Sequence, residues 1–160
     1  MEARILQEVA AQKHENVLEI GTGSGYMAAL LSYNARHVTS IEIEPTLKAM
    51  ADQNLSDYGI TNVTTLLGDG AQGWTGTSSA DDDTAAYDVI VISGSLPVLP
   101  DAFLKKLKVG GRIFAIIGDA PAMSGQIITR MSDTAYSTVN LFETCVKPLR
   151  NALTPSHFSF

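Results

Sequence analysis

Three carboxylates and a glycine-rich turn are the residues of this sequence best suited to bind a small ligand. In chain order they are Glu19, Gly21, Gly23, Gly25, Glu42 and Asp69. Glycine has no Cβ, so a turn built from it can bend tightly and let a ligand approach the backbone closely. An ionised carboxylate only accepts hydrogen bonds and attracts cations. The set therefore predicts a site for a ligand that carries hydroxyl, amino or ammonium groups.

The residues around the turn distinguish between two adenosine-containing ligands. A dinucleotide fingerprint needs a third glycine or alanine where this chain has Tyr26. Glu19, within the predicted strand just before the turn, would repel a pyrophosphate but would attract the ammonium group of S-adenosylmethionine. Glu42 can accept hydrogen bonds from ribose hydroxyls in either ligand, and Asp69 can accept one from an adenine amino group. The set favours S-adenosylmethionine, and a nicotinamide oxidoreductase remains an alternative that only the glycine turn supports.

Alternating helices and strands would bring these residues together. Helical patterns cover residues 2–12, 26–33, 45–58 and 99–108, and strand patterns cover residues 16–20, 37–43, 63–67, 87–92 and 112–117. Two further runs, 126–131 and 138–146, flank a polar turn and predict an antiparallel hairpin. The fold class is therefore α/β, a doubly wound Rossmann-like sheet that is mostly parallel, with an antiparallel strand near the C-terminus. The carboxyl ends of parallel strands meet at one edge, where ligands bind.

Composition narrows the class of protein. The net charge of −6 comes without a cluster of Lys or Arg, so we expect no nucleic-acid partner. No apolar run reaches the length of a membrane helix, and the single cysteine fits a reducing compartment, so we expect a cytoplasmic protein without a membrane partner. Residues 1–160 are predicted to form one domain. The polar stretch 73–84, with its acidic triplet 81–83, is predicted to be a solvated loop without a metal.

Longer motifs resemble one methyltransferase family. They are the runs VLEIGTGSGY, HVTSIEIEPTL, NVTTLLGDGAQGW and YDVIVISGSLPVLPDAFLKKLKVGGRIF, followed by Gln126. Together they resemble the protein-L-isoaspartate O-methyltransferases over nearly the whole chain. The resemblance implies a seven-stranded sheet with an antiparallel last strand, S-adenosylmethionine as cofactor, and methyl transfer to the carboxylate of isoaspartyl residues in damaged proteins. It implies a cofactor site formed by Glu19, Gly21, Thr22, Gly23, Ser24, Tyr26, Glu42, Asp69, Gly70 and Gln126.

The chemistry implied by the resemblance requires little acid–base catalysis. A carboxylate is already ionised at neutral pH, so no general base has to create the nucleophile. We therefore name no catalytic residue and expect His14, His37 and His157 to be surface or structural residues.

The resemblance begins at a helix that, in the family, follows a loop carrying an active-site Ser or Thr and a Pro-His-Met stretch. This sequence has no counterpart of that loop. Three alternatives stay open: a piece of a longer enzyme, a short homologue with another substrate, or a module that binds the cofactor without transferring its methyl group. Self-association would bury the apolar surface that the missing segment covers in the family.

Overall fold

A single seven-stranded sheet organises the fold of the chain. The computed structural model describes residues 1–74 and 85–155. The strands are β1 (Asn16–Ile20), β2 (His37–Glu42), β3 (Val63–Leu67), β4 (Tyr87–Leu96), β5 (Leu107–Asp119), β6 (Ala122–Arg130) and β7 (Tyr136–Thr144). Their order across the sheet is β3-β2-β1-β4-β5-β6-β7. Strands β1 to β5 are parallel, β6 runs antiparallel to β5, and β7 runs antiparallel to β6. The predicted α/β fold and the C-terminal antiparallel hairpin are confirmed.

Helices cover both faces of the sheet, as the alternating pattern predicts. They are α1 (Glu2–Val9), α2 (Tyr26–Ser32), α3 (Pro45–Asp57) and α4 (Asp101–Lys106). On one face α1 and α2 bury side chains against the odd-numbered positions of β1, including Val17. On the other face Phe103 of α4 packs against residues such as Leu18. Burial of each such side chain contributes roughly 1.5–3 kcal/mol, so both faces stabilise the central strands. None of the described helices is long and apolar enough to cross a membrane.

Most predicted elements agree with the structure to within a few residues, and the largest differences lie around α4. The predicted helix 99–108 is shorter, because Leu107 and Lys108 already belong to β5. Gly110 and Gly111, which lie between the predicted helix 99–108 and the predicted strand 112–117, belong to a bulge inside β5. Leu107 pairs with Tyr87 and Arg112 pairs with Val89, so the residues between Leu107 and Arg112 stand opposite a single residue of β4. Such an insertion lets the chain bend without ending the strand.

A second bulge lies at the carboxyl end of β4 and extends this strand beyond its predicted end at residue 92. Val91 pairs with Phe114 and Ser95 pairs with Ile116, so residues 92–94 face one residue of β5. The last β4 residue paired with β1 is Ile92. Ser93 and Gly94 therefore leave both ladders at the edge of the sheet where the glycine turn lies. Most of the predicted loop 73–84, including the acidic triplet, lies outside the described residues.

Arg112 fixes α1 to the sheet. Its guanidinium donates hydrogen bonds to both carboxylate oxygens of Glu15, at 2.7 and 2.9 Å, and to the carbonyls of Val9 and Ala10. Glu15 is only 7% exposed, and the bonds from Arg112 hold the pKa of its carboxyl below the usual value. The carbonyls of Val9 and Ala10 lie at the C-terminal end of α1, where backbone carbonyls have no hydrogen-bond donor within the helix. Arg112 thus satisfies a helix terminus and a buried carboxylate at the same time.

Candidate functional site

Glu19 is a fully buried carboxylate at the centre of the sheet edge. Its side chain lies on the α1 and α2 face, where Ser40 is its register partner on β2. The Ser40 hydroxyl donates to one carboxylate oxygen at 2.5 Å, and the Ser93 hydroxyl donates to the other at 3.2 Å. Burial raises the pKa of Glu19 to about 7, repulsion from Glu42 adds to the rise, and the two hydroxyls partly oppose it. Within the described part of the chain, Glu19 accepts hydrogen bonds from hydroxyls alone, and no cation pairs with it.

Glu42 at the end of β2 holds the glycine turn in place. One of its oxygens accepts from the Gly23 amide at 2.8 Å, and the other accepts from the Glu44 amide at 3.0 Å. Glu42 is 5% exposed. The turn itself is anchored to β2, because the Gly21 amide donates to the Ile41 carbonyl at 2.8 Å. Since each carboxylate oxygen has a second lone pair, Glu42 can still accept hydrogen bonds from a ligand.

Gly21 needs to be glycine for two reasons. Its φ of +93° lies in the left-handed region that other residues rarely adopt, and a Cβ there would lie 3.2 Å from the Ser93 carbonyl oxygen. The turn and the end of β4 therefore approach each other closely.

Asp69, after β3, is exposed and already engaged within the chain. One oxygen accepts from the Ala71 amide at 3.1 Å, and the other accepts from the Asn151 side-chain amide at 2.7 Å. Nearby, Arg150 forms an ion pair of 3.2 Å with Glu44. The C-terminal segment 149–151 thus crosses the part of the site where we expect an adenine ring.

Two cavities follow the carboxyl ends of the strands and meet at Gly21. The larger, of about 420 Å³, lies between the glycine turn, the end of β4 and the first turn of α1. This volume lies within the range of small-molecule sites. The smaller, of about 50 Å³, lies between the ends of β2 and β3 and is bounded by Leu149 and Arg150.

Nine of the ten predicted cofactor residues line one of these two cavities. Glu19, Gly21, Thr22, Gly23, Ser24 and Tyr26 line the larger cavity. Gly21, Glu42, Asp69 and Gly70 line the smaller one. Tyr26 lies at the start of α2, and its side chain is 60% exposed.

The structure does not bring Gln126 to these cavities. It lies within β6 opposite Ala115, which packs on the α4 face, and β4 and β5 separate its strand from β1. Its predicted place near the cofactor rests on the family motif alone. The ring of His37 forms a hydrogen bond of 2.9 Å with the hydroxyl of Thr64 on the neighbouring strand β3. His14 is exposed, and His157 lies outside the described residues.

Several residues of the site could not be found from motifs alone. Ser40 and Ser93 approach Glu19 only because β2 and β4 flank β1. Val146 and Lys147 line the larger cavity from a segment after β7, and no pattern in the sequence connects that segment with the glycine turn.

Comparison with known proteins points to one family. The family model of the protein-L-isoaspartate(D-aspartate) O-methyltransferases matches residues 1–150. The protein-L-isoaspartate O-methyltransferase of Protochlamydia amoebophila is 38% identical over 81% of this chain and 57% of its own length. That of Vibrio parahaemolyticus is 37% identical over 86% of this chain and 62% of its own length. The chain thus spans little more than half the length of these relatives.

The fold agrees with a solved structure of a protein-L-isoaspartate O-methyltransferase. The TM-score is 0.79 at 27% sequence identity, over 92% of this chain and 46% of the other. The family model, the relatives and this solved structure all carry the description of the same family. The chain therefore belongs to the protein-L-isoaspartate(D-aspartate) O-methyltransferase family.

Proposed function

We propose that this chain transfers a methyl group from S-adenosylmethionine to the free carboxylate of isoaspartyl residues in proteins. The observation that carries the proposal is the fully buried carboxylate of Glu19 on the wall of a 420 Å³ cavity. The family supplies the substrate class, since its model matches residues 1–150. We further propose that residues 1–160 act as one domain in the cytoplasm, which the single sheet and the free thiol of Cys145 support.

The residues of the site fit the proposed cofactor best where its cationic ammonium group would bind. An ionised carboxylate buried without a cation is costly, and the ammonium of S-adenosylmethionine would supply the missing partner for Glu19. Glu42 would accept hydrogen bonds from the ribose, because its oxygens keep free lone pairs. Asp69 would receive the adenine amino group if Asn151, which now donates to it, moved away. When bound, the cofactor supplies a methyl group that its sulfonium activates.

The chain's own residues would bind and align rather than move protons. The acceptor carboxylate is ionised at neutral pH, so its oxygen attacks directly and no base is required. An oxygen–methyl bond forms, the sulfur–methyl bond breaks, and the electron pair of the broken bond stays on sulfur. The walls of the cavity would hold the two reactants in line, which is the main source of rate in such a reaction.

A labelling experiment with paired peptides tests the proposal. The chain would be incubated with S-adenosylmethionine carrying a labelled methyl group, and with either an isoaspartyl peptide or its aspartyl twin. We expect base-labile label in the isoaspartyl peptide only. Equal labelling of both peptides would contradict the substrate assignment. No labelling, together with calorimetric binding of S-adenosylhomocysteine, would contradict catalysis and leave a cofactor-binding module.

That module is the second candidate, because the residues that line the two cavities include nine of the ten predicted cofactor residues, and these observations support cofactor binding without bearing on methyl transfer. Two measurements separate the candidates: a methyltransferase binds S-adenosylhomocysteine and labels the isoaspartyl peptide, whereas the module binds S-adenosylhomocysteine without labelling the peptide.

A further inference from the structure

The segment 146–149 is fixed by its backbone beside the end of β4. The Ser95 amide donates to the Lys147 carbonyl at 3.2 Å, and the Leu149 amide donates to the Ser95 carbonyl at 3.0 Å. The Ser95 hydroxyl also donates to the Val146 carbonyl at 3.1 Å. Ser95 itself is fully buried. Because these bonds hold the backbone on both sides of it, Lys147 has a defined position on the wall of the larger cavity.

Among the described residues that line this cavity, Lys147 is the one basic side chain, whereas Glu2 and Glu19 are the acidic ones. The Lys147 side chain is exposed. Within residues 1–74 and 85–155, no hydrogen bond or ion pair engages its ammonium group. The other cation at the cavity, the amino group of Met1, already lies 3.6 Å from the carboxylate of Glu2. Lys147 therefore keeps a charge that is free to meet an anion.

The order of groups along the sheet edge suggests which anion that is. From β3 towards β5 the edge presents carboxylates first, then the Ser93 hydroxyl, and then Lys147 beside the end of β4. The carboxylates suit the cationic cofactor. The acceptor of the proposed reaction is a carboxylate, and the three acidic groups would repel it. Lys147 would attract it at the end of the row, next to the place where the cofactor's amino acid part would lie.

We propose that Lys147 binds the acceptor carboxylate and so determines specificity for an anionic substrate. This inference rests on the proposed function. One carboxylate oxygen contacts the ammonium while the other forms the new bond to the methyl group, whose bond to sulfur breaks with its electron pair left on sulfur. No proton moves. The methyl ester carries no charge, so Lys147 holds the substrate more tightly than the product.

The same reasoning predicts which kinetic constant depends on Lys147. The negative charge of the acceptor decreases as the oxygen–methyl bond forms, so the ion pair is stronger before the reaction than in the transition state. An interaction of that kind lowers KM and does not raise kcat. A purely structural lysine would change neither constant selectively.

The test compares Lys147→Ala, Lys147→Glu and Lys147→Arg in the full chain, with Lys13→Glu as a control for a charge change far from the cavity. Steady-state methylation gives KM and kcat for the isoaspartyl peptide. Calorimetry gives the Kd of S-adenosylhomocysteine and the Kd of the peptide in its presence. We expect KM and the peptide Kd to rise about fivefold in Lys147→Ala and at least about tenfold in Lys147→Glu. Lys147→Arg and Lys13→Glu should stay close to wild type, as should the Kd of S-adenosylhomocysteine in every variant. The kcat of Lys147→Ala and Lys147→Glu should not fall.

Every other outcome contradicts the inference about Lys147, the proposed function, or both. If KM and the peptide Kd are unchanged in Lys147→Glu while wild type methylates the peptide, the inference is wrong and the proposed function stands. If the Kd of S-adenosylhomocysteine rises in Lys147→Glu together with KM and the peptide Kd, Lys147 binds the cofactor instead, and the inference is again wrong. If wild type binds the peptide through Lys147 but does not methylate it, the proposed function fails alone. If wild type does not bind the peptide, both fail.

Discussion

Replacement of Glu19 by glutamine should change how the stability of the unliganded protein depends on pH. In the folded state burial raises the pKa of Glu19 from 4.5 to about 7, a rise that corresponds to roughly 3 kcal/mol at 1.36 kcal/mol per unit. The folded state binds this proton more tightly than the unfolded state. The associated stability is therefore complete below about pH 4.5 and is lost as the pH rises through about 7.

The size of this effect follows from the two pKa values. Between pH 5 and pH 8, wild type should lose roughly 2 to 3 kcal/mol of unfolding free energy that Glu19→Gln retains. Urea unfolding followed by far-ultraviolet circular dichroism at pH 5, 6, 7 and 8 measures the difference. Glu143→Gln, which removes an exposed carboxylate, is the matched control and should follow wild type. Parallel pH profiles for wild type and Glu19→Gln would refute the argument that burial destabilises the ionised form.

The Glu19→Gln variant also tests whether the buried carboxylate binds the cofactor, separately from its effect on the stability of the unliganded protein. A hydrogen bond to a charged group contributes about 1.5–3 kcal/mol. Glu19→Gln should thus bind S-adenosylhomocysteine about 10- to 100-fold more weakly at pH 8, although its unliganded form is relatively more stable there. An unchanged affinity would mean that the ammonium lies elsewhere.

Three further changes test other parts of the site and its support. Glu42→Gln should weaken S-adenosylhomocysteine binding about tenfold by calorimetry, and equal affinity would exclude a ribose contact. Asn151→Gly keeps the backbone conformation at φ +60° and frees Asp69, so it should tighten binding by about threefold or more; weaker binding would show that Asn151 supports the site. Arg112→Ala leaves the buried carboxylate of Glu15 without its cation and should lower the unfolding free energy by about 3 kcal/mol in urea. A loss below about 1 kcal/mol would show that water replaces the guanidinium.

The sequence predicts the central strands well because their hydrophobic pattern and their pairing agree. The predicted limits of β1 and β3 match the structure, since each is a short run rich in strand-forming residues that ends at a glycine. The predicted helix 99–108 fails at its C-terminal end, where Leu107 pairs with Tyr87 in the sheet. There, tertiary contacts override helix propensity.

The candidate site was predictable to the extent that it depends on strand ends. Glu19, Glu42 and Asp69 meet at one edge because parallel strands end together. The hydroxyl of Ser93 reaches Glu19 only through the bulge in β4. Gly94 lies in this bulge, but a glycine in a sequence is equally compatible with the end of a strand. Asn151 reaches Asp69 across 82 positions of sequence, and such a contact depends on the whole fold rather than on any local pattern.

The two ends of the sheet differ in how they would tolerate added polypeptide. Met1 and Glu2 line the larger cavity, so an affinity tag or fluorophore attached at Met1 would start at the mouth of the site and compete with its ligands. The turn between β6 and β7 follows Arg130, and its neighbour Thr129 pairs with Arg112 near the amino-terminal end of β5. That turn lies at the opposite edge of the sheet. A label placed there should report on the molecule without touching the cavity.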